Sequence, residues 1–88
     1  MGRRFFEEEG WENLFYWFHE NRKMADRIYK LLEDIERNGA DKGIGKPEYL
    51  KYKKCWSRRI DDEHRLLYDI DENNTVHIIS CKGHYEDK

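Results

Sequence analysis

Residues 56–68 read WSRRIDDEHRLLY, and the fold is legible from this stretch outward. Two short strand-forming runs flank Asp61-Asp62-Glu63-His64, a turn-rich spacer of hairpin length. A third run at 75–82 follows a second spacer, Glu72-Asn73-Asn74. The runs 55–60, 65–71 and 75–82 therefore predict an antiparallel meander. Side chains alternate between the faces of a strand, so Leu66, Tyr68 and Ile70 share one face while Arg65, Leu67 and Asp69 share the other. In the first run Arg59 points opposite to Trp56 and Ile60. Arg59 and Arg65 are thus expected on one helix-free face, provided that no β-bulge reverses the parity.

Upstream, the periodicity changes to helical. Residues 3–6, RRFF, could form an edge strand. Trp11, Leu14, Phe15 and Phe18 then recur at i, i+3, i+4 and i+7, which predicts a helix over 7–20 with these groups on its buried face. That reading leaves Tyr16 and Trp17 as candidates for a partner surface. Asn21 suits an N-cap, and Ala25, Ile28, Leu31, Leu32 and Ile35 repeat the spacing until Asn38-Gly39 stops it. Two amphipathic helices joined by a short link form a hairpin whose apolar side needs a partner surface. Residues 39–54 hold three glycines and the only proline, and read as a loop crossing to the sheet. The expected fold is α+β, a two-helix hairpin on one face of a small twisted antiparallel sheet, with residues 1–88 forming one domain.

Composition bounds the function. The chain is 38% hydrophobic and 41% charged, near the disordered corner, but Trp 3, Tyr 6 and Phe 4 supply enough ring area for a small core. No apolar run approaches the roughly 20 residues of a membrane span, and the N-terminus lacks a secretory apolar core, so a soluble cytoplasmic protein is expected. Cys55 and Cys81 form no CxxC pair and read as buried free thiols. His19, His64 and His77 lack metal-ligand spacing, so no metal or other cofactor is expected. The net charge of −2 hides a partition: seven basic and nine acidic side chains in 1–40, seven and two in 41–60, three and eight in 61–88. The middle segment, at +5, would attract nucleic acid, although a solvated charged loop has the same signature.

The side chains that could do chemistry are of a kind that suits phosphate. Arginine offers a planar fork of permanent charge, and histidine can donate or accept a proton near neutrality. Cutting RNA without a metal needs a base for the ribose 2′-OH, cations for the charge on the phosphate, and an acid for the departing 5′ oxygen. Glu48 is the lone acid between Asp41 and Asp61 and is surrounded by Lys46, Lys51, Lys53, Lys54, Arg58 and Arg59, which would keep it ionised and able to accept a proton. A loop glutamate balancing lysines is the plainer alternative. His84 could serve as a general acid, and Tyr85 could stack a base, although a capped tail would look the same. His64, in the turn beside Arg65, either helps set the charge of the site or is simply a solvent-exposed turn residue.

With these residues in view, the chain resembles the YoeB/Txe toxins of bacterial toxin-antitoxin modules, within the RelE/ParE superfamily. The likeness rests on Trp11 and Trp17 with Tyr16 between them, GKPE at 45–48, WSRRI at 56–60, EHRL at 63–66 with Tyr68, then Cys81 and the terminal His84-Tyr85. It implies a RelE-like, microbial RNase-like fold and an mRNA interferase that cuts mRNA in the ribosomal A site, meeting 16S rRNA there. It implies Glu48 as base, His84 as acid, Arg65 on the scissile phosphate and Tyr85 positioning the nucleotide. Lys51 and Arg59 match supporting positions that bind or orient RNA, with Lys46 and Arg58 as further cations. The implied partners are mRNA, the ribosome, a Phd/YefM-type antitoxin and a second copy in a homodimer. Two other functions stay open: a ParE-type toxin that blocks DNA gyrase without cutting RNA, and an RNA-binding module whose catalytic face has decayed.

Overall fold

The computed structural model describes residues 3–83. Strand β1 (Arg3–Phe6) leads into helix α1 (Glu8–Glu20) and helix α2 (Arg22–Asn38), after which β2 (Glu48–Leu50), β3 (Cys55–Arg59), β4 (Arg65–Ile70) and β5 (Thr75–Ser80) complete the chain. The strands form one sheet in the order β1-β5-β4-β3-β2. From β2 to β5 every pairing is antiparallel, and its β3-β4-β5 part is the meander that the hairpin-length spacers predicted. The edge strand β1 instead runs parallel to β5, with Arg3 opposite Thr75 and Phe6 opposite Ile78, so the sheet as a whole is mixed. Short β2 lies inside the segment read from its glycines as loop. None of the described helices is long and apolar enough to cross a membrane.

Helix α2 follows its sequence closely. The Asn21 side chain accepts a hydrogen bond from the Lys23 N–H, which caps the helix, and Gly39 ends it with φ 92°, a conformation that glycine adopts without a Cβ penalty. Its face of Met24, Ala25, Ile28, Leu31, Leu32 and Ile35 is buried against Ile60, Leu66, Tyr68, Val76, Ile78 and Cys81 of the sheet side. Burying side chains of this size stabilises the fold by about 1.5–3 kcal/mol each relative to exposure. Arg4 closes the edge, its Nε and Nη2 donating to the two Glu36 carboxylate oxygens at 3.0 and 2.9 Å.

Helix α1 corrects the sequence reading. Its buried residues are Gly10 and Trp17, with Asn13 and Leu14 half-buried between them. Trp11, Phe15 and Phe18, expected in the core, are about half exposed, and Trp17, expected at the surface, is 6% exposed. Two contacts set this rotation. At Gly10 the helix comes so close to β5 that a Cβ would lie 2.6 Å from the carbonyl oxygen of Ile78, so a glycine must occupy that face. Trp17 can be buried because its indole N–H donates to the Cys81 carbonyl at 2.8 Å, while Cys81 N–H donates to Asn13 Oδ1 at 2.9 Å.

A β-bulge does interrupt the meander, between Leu67 opposite Ser80 and Tyr68 opposite Ile78. It falls in the β4–β5 ladder and leaves the β3–β4 register untouched, so the parity of Arg59 and Arg65 survives. Its effect is on β5: Ile79 packs with the small cluster Leu50, Cys55 and Leu67 on the open face, while Cys81 returns to the core beneath the helices.

Candidate active site

The face of the sheet turned away from the helices is built by register. Glu48 of β2 lies opposite Ser57 of β3, Ser57 opposite Leu67 of β4, and Arg59 opposite Arg65. Glu48, Ser57, Arg59, Arg65 and Leu67 therefore share one face, over the apolar floor of Leu50, Cys55, Leu67 and Ile79. With strands about 4.8 Å apart and a rise of about 3.4 Å per residue, two strands and two residues separate the Cα atoms of Glu48 and Arg65 by about 12 Å. Long side chains reaching from both sides of such a gap can close on one phosphodiester. Glu48 and Arg59 are exposed there, whereas Arg65 is 7% exposed.

The approach to Glu48 is set by Gly45. Its carbonyl accepts the Arg59 N–H at 2.7 Å, and a Cβ there would meet Leu31 Cδ2 at 2.9 Å and Arg58 Cβ at 3.1 Å. Gly45 and Lys46 both have positive φ, 83° and 52°, and this tight turn delivers Pro47 and Glu48 to the edge of β3. Exposed Lys46 lies at the Arg59 end of the hairpin. Lys51 is in the turn at the other end, three residues beyond Glu48 and about 10 Å along the strand direction. The fold thus gathers Glu48, Lys46, Arg59 and Arg65, and sets Lys51 apart from the two arginines.

Arg65 is held rather than free. Its Nη1 donates to the carbonyls of Asp61 at 2.8 Å and His64 at 3.1 Å, while among the described residues Nε and Nη2 have no hydrogen-bond partner. The turn beneath it is fastened by Asp61, whose Oδ1 accepts the N–H groups of Glu63 at 2.9 Å and His64 at 2.6 Å. Burial alone would raise the Asp61 pKa, but these two bonds together with nearby positive charge hold the carboxyl below its ordinary range.

Arg58 is a correction. Instead of facing RNA it is wholly buried on the helix side, with every N–H used. Its Nε donates to Tyr68 Oη at 2.8 Å, Nη1 to Asp34 Oδ2 at 2.5 Å and Ile44 O at 3.0 Å, and Nη2 to Gly39 O at 2.8 Å and Lys42 O at 2.7 Å. The guanidinium nails the 39–45 loop to α2 and β4. The reason is parity: Arg58 lies between Trp56 and Ile60 on the core side, and a buried charge must be paired.

His64 also departs from the exposed-turn reading. Its side chain is 17% exposed, with the ring edge-on to Trp17 at a centroid distance of 4.8 Å. Nδ1 accepts the Gly83 N–H at 2.9 Å. His84 and Tyr85 lie outside the described residues. Sequence reasoning gave no role to Ser57 or to Ser80, whose buried Oγ has no hydrogen-bond partner among the described residues. Hydroxyls on a strand carry no spacing signal that would have marked them.

Both cysteines are free and buried, as their spacing suggested, and burial pushes the Cys81 thiol up to about 12. Among the described residues no three His, Cys, Asp or Glu side chains are grouped as metal ligands would be. His77 instead meets Asp71 Oδ2 through Nε2 at 2.9 Å, and this bond is the main reason the Asp71 carboxyl lies below its ordinary range.

Residues 6–85 match the family described as YoeB-like toxin of bacterial type II toxin-antitoxin systems. A toxin YoeB of Streptomyces coelicolor is 44% identical over 82 residues, covering 91% of this chain and 95% of that protein. Among solved structures, a chain of the heterotetrameric YoeB-YefM toxin-antitoxin complex of Staphylococcus aureus superposes with TM-score 0.87 at 44% identity, covering 97% of this chain and 99% of that one. A YoeB dimer from the same organism gives 0.89 at 44% identity, covering 96% and 98%.

Proposed function

The chain belongs to the family of YoeB-like toxins of bacterial type II toxin-antitoxin systems, and from that premise we propose that it is a cytoplasmic endoribonuclease cutting mRNA in the A site of the translating ribosome. The single observation that carries this reading is a carboxylate, Glu48, on the same open sheet face as the facing pair Arg59 and Arg65. In the proposed reaction the Glu48 carboxylate takes the proton of the ribose 2′-OH. The 2′ oxygen attacks phosphorus and the bond to the 5′ oxygen breaks, leaving a 2′,3′-cyclic phosphate. His84 protonates the departing 5′ oxygen, so charge is conserved between base and acid. Arg65, with its fork oriented by two carbonyls, and Arg59 opposite it neutralise charge growing on the phosphate oxygens. Tyr85 positions the nucleotide, and Lys46 and Lys51 guide RNA onto the two ends of the β2–β3 hairpin. General base and general acid each supply about 10²–10⁴-fold in reactions of this kind.

The partners follow the same reading. An antitoxin of the YefM type would cover the cationic face, and the exposed aromatic row of α1, Trp11, Phe15 and Phe18, is apolar area suited to a second copy of the toxin. Primer extension on transcripts from cells expressing the chain tests the activity. Cuts within translated codons, lost in Glu48→Ala, support it. Intact transcripts accompanied by signs of DNA damage would point instead to a gyrase-blocking toxin.

A further inference from the structure

Residues 81–83 are gripped from two sides. Toward α1, Cys81 N–H donates to Asn13 Oδ1 at 2.9 Å and Cys81 O accepts from Trp17 Nε1 at 2.8 Å. Toward the start of β4, Gly83 N–H donates to His64 Nδ1 at 2.9 Å, and Gly83 O accepts from Arg65 N–H at 2.9 Å. The second pair prolongs the sheet beyond the end of β5, with an imidazole nitrogen standing where a strand carbonyl would accept. Gly83 has φ 111°, a conformation that other residues adopt only with strain, so the chain is turned here by design of its backbone.

We propose that His64 is a positioning residue: by accepting the Gly83 N–H it fixes the backbone at Gly83, the residue that precedes His84 and Tyr85 in the sequence, and so serves the proton transfer assigned to His84. The proposal rests on the endoribonuclease reading of that pair. An amide N–H can only donate, so Nδ1 must be the acceptor and the ring proton is on Nε2, on the side of Glu63 Oε1 at 4.0 Å. Trp17 packs against the ring and holds its plane. The same residue pair thus serves twice: Arg65 addresses the phosphate, its Nη1 bound to the His64 carbonyl, while its backbone N–H and the His64 ring hold Gly83. Geometry of this kind matters because displacement of a reacting group by about 1 Å costs about 100-fold in rate.

Two substitutions separate an acceptor role from mere packing. In His64→Asn the amide oxygen stands where Nδ1 stood. In His64→Gln the side chain is larger, closer to the ring in volume, but its oxygen falls near the Nε2 position. Single-turnover cleavage of mRNA on programmed ribosomes, with the toxin in excess, gives the saturating rate and the half-saturating concentration. Exchange of the Gly83 amide proton reports the bond itself. His64→Gln should lower the saturating rate by about 30-fold or more at a half-saturating concentration unchanged within about two-fold, with faster Gly83 exchange. His64→Asn should stay within about five-fold of wild type and keep Gly83 protected. A His64→Gln protein as fast as wild type, or a His64→Asn protein as slow as His64→Gln, overturns the proposal. A wild-type protein that cuts no RNA sinks the underlying reading instead, and the two failures cannot be confused.

Discussion

Arg58→Ala asks whether this arginine serves the fold or the RNA, and the structure gives a definite answer. The substitution removes five hydrogen bonds at once and leaves the Asp34 carboxylate and the carbonyls of Gly39, Lys42 and Ile44 without the donor they share. Breaking a buried ion pair by deleting one member costs about 3–5 kcal/mol, and five bonds at about 1 kcal/mol each give the same scale. In a domain of this size 1 kcal/mol moves Tm by about 4–8 °C, so a fall of about 15 °C or more is expected. Thermal unfolding followed by circular dichroism measures it, at a fixed protein concentration so that any self-association contributes equally to both proteins. Arg59→Ala is the control: exposed and on the open face, it should change stability by no more than about 0.5 kcal/mol while slowing cleavage. An Arg58→Ala protein with Tm within about 3 °C of wild type and weakened RNA binding would show instead that this arginine serves the RNA.

Gly10→Ala should destabilise the fold by about 1–3 kcal/mol despite its better helix propensity, because the new methyl meets the Ile78 carbonyl; a variant as stable as wild type in urea unfolding would contradict this. Burial alone would raise the Asp34 pKa, but bonds from Arg58, the Ile44 N–H and Asn38 hold the carboxyl below its ordinary range. Its stabilising contribution is therefore complete above the unfolded pKa of about 4 and fades as pH falls through the lower folded value. The gap in Tm between wild type and Asp34→Asn should close below about pH 4, and a gap that widens there would reverse the argument. Cys55 and Cys81, both buried with thiol pKa raised by burial, should resist iodoacetamide at neutral pH until the chain is unfolded, as mass spectrometry of the labelled protein would register.

Where one periodicity admits one answer, sequence and structure agree. In α2 only a single face is apolar, and that face is the buried one. Strand parity placed Arg59 with Arg65 for the same reason, since a period of two leaves no third choice. Helix α1 was ambiguous because aromatics stand on every side of it. The deciding feature was Gly10, whose lack of a side chain means close approach to β5, a tertiary fact without a hydrophobic signature. Arg58 misled through composition: counted with the neighbouring cations it looked like RNA-binding charge, although its own parity already pointed to the core. His64 was hidden because its partner, Gly83, is a backbone group 19 residues away. Short β2 escaped since three residues cannot display a pattern.

In the proposed reaction Glu48 works with the cations of this face to activate a ribose 2′-OH. Its most direct test is the chemistry of the cut ends when purified protein acts on mRNA in a programmed ribosome, compared with Glu48→Gln. A 2′,3′-cyclic phosphate and a 5′-OH are expected from wild type, and a rate at least about 100-fold lower from the well-folded variant. Ends bearing a 3′-OH and a 5′-phosphate would exclude the 2′-OH as nucleophile, and undiminished cleavage by Glu48→Gln would exclude Glu48 as the base.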